Sequence, residues 1–162
     1  MSIAAIREQI KTILSGVAGI GVIHDYERWS IDWNKFLDHY KDSDGRINGC
    51  AFAREKCVKK QMTMGETEKA HVFVIRRITG LKDSEATGII FDDHLEILGD
   101  AFKCSTSEEE SLNGTCRTIN PDWGPMADAV GLQIEIIEPR MVGGVLCHYA
   151  ECRLCVIEAQ EN

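Results

Sequence analysis

The residues with the clearest capacity for chemistry lie in the last part of the chain, where three cysteines and a histidine are close together: Cys147, His148, Cys152 and Cys155. Zinc prefers thiolate and imidazole ligands, and a Cys-x-x-Cys pair is the usual half of a zinc site. The surrounding residues, however, alternate as in a β-strand, and strand residues three apart point to opposite faces. We therefore predict structural thiols and no metal site. The metal-binding alternative would use Cys147, Cys152 and Cys155.

The same strand assignment argues against a catalytic cysteine. Cys147 and His148 are neighbours, and neighbours on a strand face apart, so a base would have to come from elsewhere. His94 falls on the inner stripe of a predicted helix, where a packed and hydrogen-bonded role is expected. No Gly-x-Ser-x-Gly sequence marks a hydrolase nucleophile. We expect no catalytic residues and no enzyme activity.

Two loop patterns resemble ligand-binding motifs and fail on inspection. The glycine-rich stretch Gly16–Gly21 follows a helix and precedes a strand, whereas a dinucleotide loop needs the reverse order. Asp42–Gly45 suggests a calcium loop, but the alignment puts Tyr40 and Ala51 where carboxylates are required. The sequence therefore predicts no cofactor.

Composition is that of an ordinary globular protein and weighs against nucleic-acid binding. The chain has 162 residues, 44% hydrophobic and 27% charged, with a formal net charge of −8. Proteins that grip nucleic acid or anionic membranes favour clustered Lys and Arg. No apolar run approaches the ~20 residues of a membrane span, and the first residues lack a signal-peptide layout. Because the seven cysteines are odd in number, we expect reduced, mostly buried thiols and a cytosolic protein.

Hydrophobic periodicity predicts two long helices. The first is capped by Ser2 and ends at Gly16, and the second begins at Asp83 or Ser84. The predicted inner face of the second helix comprises Ile90, Phe91, His94, Leu95, Leu98 and Phe102. A strand is predicted near 17–26, and a short helix within 29–40 is predicted to start near Ser30. Strands over 47–58 and 69–78 are predicted to form an antiparallel hairpin, and a second hairpin is predicted at the C-terminal end.

The C-terminal hairpin has the clearest β pattern. Leu132, Ile134 and Ile136 alternate with polar residues, so we predict that they share one face of a strand. A turn is predicted over 139–144, followed by a long antiparallel strand over 145–157. The predicted fold class is α+β, in a single domain. Its sheet has about four to five strands, mostly antiparallel with a mixed sheet as the alternative, and two long helices pack on one face.

Two segments lie outside this pattern and are candidates for contact with a partner. Residues 103–125 form a polar loop, and residues 29–45 hold the short helix. The aromatic stripe from Trp29 to Tyr40 is typical of a core, although tryptophan is also favoured at the centre of interfaces. The candidate interface or lumen residues are Glu108, Glu109, Glu110, Trp29, Trp33 and Trp123.

The first 26 residues combine three features that point to a known family. A helix over Met1–Ile10 is followed by a glycine turn at Gly19–Val22 and a strand that ends in Asp25–Tyr26. This opening resembles the small tail-completion proteins, or tail terminators, of long-tailed bacteriophages. The order of the later elements, up to the closing hairpin, is similar too. Relative to that family, residues 29–45 and 103–125 are insertions.

The resemblance implies a structural virion protein. Family members cap the phage tail tube, end its polymerisation and join the tail to the head, typically as a hexameric ring. The implied partners are further copies of this chain, the major tail tube protein and the head-side connector or stopper protein. DNA would pass through the ring without specific binding. The implied location is the virion, at the head–tail junction, and the host cytoplasm before assembly.

The net charge adds one prediction to the tail-terminator interpretation, and two other classes of protein are kept as alternatives. Basic residues would hold the phosphates of passing DNA, so we expect acidic side chains such as Glu108–Glu110 to line the lumen or its rim. The main alternative is a small cysteine-rich metal-binding or regulatory module. A small hydrolase or thiol enzyme is the third class.

Overall fold

A computed structural model describes residues 2–61, 64, 66–102, 112 and 131–161 of the chain. The described helices and strands, in chain order, are α1 (Ile3–Ser15), β1 (Val22–His24), α2 (Trp33–Asp38), β2 (Asn48–Gln61), β3 (Glu66–Gly80), α3 (Thr87–Ala101), β4 (Leu132–Val142) and β5 (Val145–Glu161).

The strands of this described part form one five-stranded sheet in the order β1-β2-β3-β5-β4. Strand β1 pairs parallel with β2, and every other neighbouring pair is antiparallel. The predicted α+β class is therefore confirmed, with the mixed sheet that had been left open. The two predicted antiparallel hairpins, β2–β3 and β4–β5, are also confirmed.

Helix α1 forms as its sequence predicts. The Ser2 hydroxyl accepts a hydrogen bond from the Ala5 amide at 3.3 Å, which satisfies one of the free donors of the first turn. Ile6, Ile10 and Leu14, spaced by four residues, are fully buried. Gly16 follows the last helical residue and donates its amide to the final carbonyls.

Helix α3 begins later than predicted. Asp83–Glu85 form a turn of 3₁₀ helix, and Ala86 then adopts φ +50° before the α-helix starts at Thr87. The helix buries Phe91, Leu95 and Leu98. The prediction that Ile90 lies on the inner face is wrong, because its side chain is 62% exposed. The buried stripe repeats at 91, 95 and 98, which leaves Ile90 at its margin.

A β-bulge changes which face of the sheet the side chains of β4 point to. The pairing of β4 with β5 shifts register between Ile134 and Ile136. Ile134 packs against the cluster that contains α1 and α3, whereas Ile136 packs against the cluster on the other face. The prediction that Leu132, Ile134 and Ile136 share a face is wrong for Ile136, because the extra residue reverses the alternation.

The predicted turn over 139–144 is shorter than expected. Pro139 lies within β4 opposite His148, and the reversal falls at Gly143 and Gly144, whose φ angles are +55° and +79°. Pro139 is tolerated because β4 is an edge strand, where a missing amide donor removes no ladder hydrogen bond on the open side. The two glycines supply the left-handed conformations that a tight reversal requires.

Each face of the sheet carries its own buried cluster. The larger cluster unites α1, α3 and one face of the strands, through residues such as Ile10, Leu95 and Phe73. The smaller cluster unites α2 with the opposite face, through residues such as Leu37 and Tyr149. Residues 33–38, which the sequence placed in an insertion, therefore cover the second face of the sheet.

Candidate functional site

The three C-terminal cysteines all lie on β5, as the alternation predicts. Cys152 belongs to the larger cluster and Cys147 to the smaller one, so their side chains point to opposite faces. Cys155 is three residues from Cys152 and therefore faces away from it. Burial raises the pKa of Cys152 and of Cys155 to about 12, which keeps both thiols protonated. Protonated, separated thiols are poor metal ligands and poor nucleophiles.

Among the residues that the structure describes, no group of three or more His, Cys, Asp or Glu side chains could hold a metal ion. Cys50 lies in the larger cluster, and burial raises the pKa of its thiol to about 11. Cys57 on β2 is exposed.

The candidate interface residues divide into two groups. Trp29 and Trp33 are 79% and 60% exposed. Glu108, Glu109, Glu110 and Trp123 lie outside the described residues. Tyr40 is buried, as the core interpretation of the aromatic stripe predicts, whereas the two tryptophans are exposed, which leaves the interface alternative open for them. Helix α2 is short and starts only at Trp33. Trp29 therefore precedes the helix and does not lie on the buried face of α2.

Four exposed apolar residues lie near the start of α2 or the β4–β5 turn, and we call them together the tryptophan surface: Trp29, Ile31, Trp33 and Met141. Ile31 is fully exposed and Met141 is 64% exposed. Ile31, Trp33 and Met141 line one shallow depression of about 590 Å³ together with Gly143 and Gly144. Isolated exposed apolar residues are ordinary, but three that line one depression, as Ile31, Trp33 and Met141 do, favour a contact surface.

Local structure holds the tryptophan surface in place. The carboxylate of Asp32 caps α2 by accepting the Asn34 amide at 2.9 Å, whereas the sequence had suggested Ser30. The Cβ of Trp33 would lie only 3.0 Å from a Cβ at Gly143, so the start of α2 rests closely on the β4–β5 turn. Trp33 contacts Phe36 edge-on at 5.7 Å between ring centroids, and Phe36 contacts the buried Tyr40 at 5.3 Å. The exposed indole is thus anchored to the smaller cluster.

A row of acids covers the outer side of α3. Asp92, Asp93, Glu96 and Asp100 are all exposed. Their carboxylates give this helix a negatively charged outer surface.

A cavity of about 620 Å³ opens between the turn at 41–47, the end of β3 and the start of α3. Its most unusual lining residue is Arg77, which is only 2% exposed. Arg77 donates from Nη1 to the Gly49 carbonyl at 2.9 Å and from Nη2 to the Gly19 carbonyl at 3.1 Å. Nη2 also donates to the side-chain oxygen of Asn48. Burial lowers the pKa of Arg77 to about 10, because low-dielectric surroundings disfavour the charged form.

Two histidines lie near this cavity, His94 on α3 and His148 on β5. His94 Nε2 lies 2.8 Å from the Ala18 carbonyl and donates to it, which confirms the predicted hydrogen-bonded role. His148 stacks on Phe91 at 5.2 Å and bonds through Nε2 to the Thr87 hydroxyl at 2.9 Å. Thr87 in turn bonds the backbone of Lys82, which fixes the start of α3.

A buried polar pair joins β3 and β5. His71 Nε2 lies 3.0 Å from a carboxylate oxygen of Glu158, and both side chains are almost fully buried. The two residues are 87 positions apart and meet only because β3 pairs with β5. A histidine within the apolar run of β3, with a glutamate near the end of β5, was the only available signal. Arg77 gave a similar signal, as a charge within a strand of apolar residues.

The two histidines beside the cavity predict a pH dependence of stability. Burial is the main cause that lowers the pKa of His94 and of His148. The unfolded chain therefore binds protons more readily than the folded chain, so we expect stability to be full above about pH 6.5 and to fall as the pH drops through the lowered values. Urea midpoints measured from about pH 8 to pH 5 test this. The His94→Gln variant should show a shallower decline, and an unchanged slope would contradict the assignment.

No helix among the described residues is long and apolar enough to cross a membrane. No protein-family model matches the chain, and no curated protein matches it at a significant level.

Proposed function

We propose that this chain is a tail terminator of a long-tailed bacteriophage. It caps the tail tube, ends tube polymerisation and joins the tail to the head-side connector, as a ring of identical subunits for which six is the expected number. The tryptophan surface is the observation that carries this proposal. The order of the elements, with an opening helix, a hairpin, a second long helix and a closing hairpin, supports it.

The tryptophan surface supports an assembly role because of what it would bury. Two tryptophans, an isoleucine and a methionine stand in water at exposures of 60% or more. Aromatic residues and methionine are enriched at the centres of protein interfaces, where a few such anchors supply most of the binding energy. A ring needs a heterologous contact that closes after a fixed rotation, and a rigid patch anchored to the core suits such a contact.

Charge supports passage of DNA without retention. The formal net charge of the chain is −8. Helix α3 also carries exposed acids on its outer side: Asp92, Asp93, Glu96 and Asp100. They add to the acidic residues Glu108–Glu110 that the sequence analysis proposed for the lumen. An acidic lumen does not bind phosphates, because it offers no cations to replace their counterions. We therefore propose that the outer side of α3 faces the lumen or its rim.

The proposal is tested by mixing the purified chain with tail tubes assembled from the major tail tube protein of the same genome. Negative-stain images are expected to show rings or capped tube ends, and the tubes are expected to stop growing once capped. Uncapped tubes that continue to grow in the presence of the chain would show that the proposed function is wrong.

A matched pair of variants tests the role of the tryptophan surface. Ile31→Asp places a charge in the depression that Trp33 and Met141 also line and is expected to reduce the capped fraction by at least about tenfold. Ile97→Asp makes the same change at an isoleucine on α3 that is 51% exposed and should leave capping within about twofold of the unmodified chain. Circular dichroism checks that both variants are folded. Equal losses in the two variants would contradict the assignment of the interface.

A further inference from the structure

Residues 28–31, which include two members of the tryptophan surface, are joined to the rest of the fold by one side chain. In the part of the chain that the structure describes, Arg28 makes all the hydrogen bonds of this segment. It donates from Nη1 to the Tyr26 hydroxyl and from Nη2 to His39 Nδ1, which lies 3.1 Å away. Because Tyr26 is only two residues away in the chain, the bond to His39 is the one that attaches the segment to another element.

The bond from Arg28 requires a neutral His39. A guanidinium only donates hydrogen bonds, so Nδ1 of His39 is the acceptor and the ring proton is on Nε2. His39 follows the last residue of α2 as its C-terminal cap and is partly exposed, so a proton can reach it from water. His24 on β1 differs, because its Nε2 lies 2.7 Å from the His39 carbonyl and donates to it. His24 can make that bond in either charge state.

The charges around this bond do not favour a second cation beside Arg28. The other titratable or charged side chains come from β1, the loop after it, α2 and the turn that follows: His24, Tyr26, Lys35, Asp38, Tyr40 and Lys41. The neighbouring carboxylates are paired elsewhere, Asp25 with Lys11, Glu27 with Arg76 and Asp38 with Lys41. Among the described residues, no carboxylate forms an ion pair with Arg28 or His39, so a protonated His39 would face the guanidinium directly.

We propose that the hydrogen bond from Arg28 to His39 makes the order of the tryptophan surface depend on pH. Histidine is the side chain whose charge most often changes between about pH 5 and pH 8. Once Nδ1 of His39 is protonated it cannot accept, and two like charges repel at contact distance. Residues 28–31 are then released, and Trp29 and Ile31 become mobile. As a control of partner binding this inference rests on the proposed function, but the release itself is measured on the isolated chain.

Backbone ¹⁵N relaxation of the isolated chain tests the release. The order parameters of residues 28–31 are expected to be about 0.85 near pH 7.5 and to fall below about 0.6 near pH 5. The amides of α1 in the same spectra should stay at about 0.85, which shows that the chain remains folded. Equal order parameters of residues 28–31 at the two pH values would overturn the proposal.

Two substitutions of similar shape separate the two histidines. His39→Asn places an amide oxygen near the position of Nδ1, so it keeps an acceptor for Arg28 without a group that titrates. Residues 28–31 of this variant should stay ordered at both pH values. His24→Gln keeps a donor near the position of Nε2 and should leave the response to pH unchanged. A response that persists in His39→Asn, or one that disappears in His24→Gln, would contradict the assignment to His39.

Arg28→Met tests the attachment without a change of pH. This variant lacks the donor, so residues 28–31 should already have order parameters below about 0.6 near pH 7.5, and a rigid segment would contradict the attachment. Capping of tail tubes near pH 5 should be at least about fivefold weaker for the unmodified chain than for His39→Asn, because fewer molecules present an ordered surface. If the order parameters respond and capping does not, the release is supported and its role in the proposed function is wrong.

Discussion

Replacing Gly21 with alanine is expected to abolish cooperative folding or to lower the free energy of unfolding by about 4 kcal/mol or more. Gly21 has φ +73°, and a Cβ at this position would lie 2.0 Å from the carbonyl oxygen of Asn48. That oxygen belongs to the backbone of β2, so it cannot move aside without breaking the pairing of Val22 with Gly49. Urea denaturation followed by circular dichroism measures the loss.

Gly45 provides the matched control for this prediction. Its φ of +74° is almost the same as that of Gly21, but a Cβ there would meet nothing within 4 Å. Gly45→Ala should therefore cost only the left-handed conformation, about 1–2 kcal/mol. If the two variants lost the same stability, the close approach of Gly21 to β2 would not be the cause.

The second large effect is expected at Arg77. Arg77→Met keeps most of the buried volume and removes the donors that serve Gly49, Gly19 and Asn48. We expect a loss of about 2–4 kcal/mol, because the buried Gly49 carbonyl and the Asn48 side-chain oxygen each lose a donor. The Gly19 carbonyl keeps the Asn48 amide as a donor. Thermal and urea unfolding measure this loss.

The neighbouring Arg76 separates this effect from a general loss of charge. Arg76 lies on the opposite face of β3, where its half-exposed side chain pairs with Glu27 and Glu151. Arg76→Met should cost about 1 kcal/mol or less, because exposed ion pairs contribute little. A similar cost for the two arginine variants would contradict the role assigned to the buried guanidinium network.

Patterns within a short stretch of sequence predicted the helices and strands that are determined by residues within that stretch. The Ser2 cap and the four-residue spacing of Ile6, Ile10 and Leu14 are sufficient to define α1. The alternation of β5 was equally sufficient to separate Cys147 from Cys152, and it is the reason that the metal alternative lacks geometric support. These features depend only on residues that are near one another in the chain.

Features that depend on distant partners were missed for a physical reason. The bulge at Ile134 is set by how β4 meets β5, and no pattern within β4 reveals it. The contact of His71 with Glu158 joins residues 87 positions apart. The cavity at Arg77 needs the Gly19 loop, β2 and α3 to be brought together. Long-range contacts of this kind follow from the fold and are invisible to periodicity.

The strand order has a consequence for how the chain is made. Strand β5 lies between β3 and β4, and it pairs with β3 from Gly80 opposite Cys147 to Glu66 opposite Glu161. During synthesis, one edge of β3 in the β2–β3 hairpin stays unpaired until residues 145–161 have left the ribosome. An open apolar edge is prone to pair with other chains. Nascent or truncated chains that lack β5 should therefore aggregate more readily than chains in which β5 covers the edge of β3.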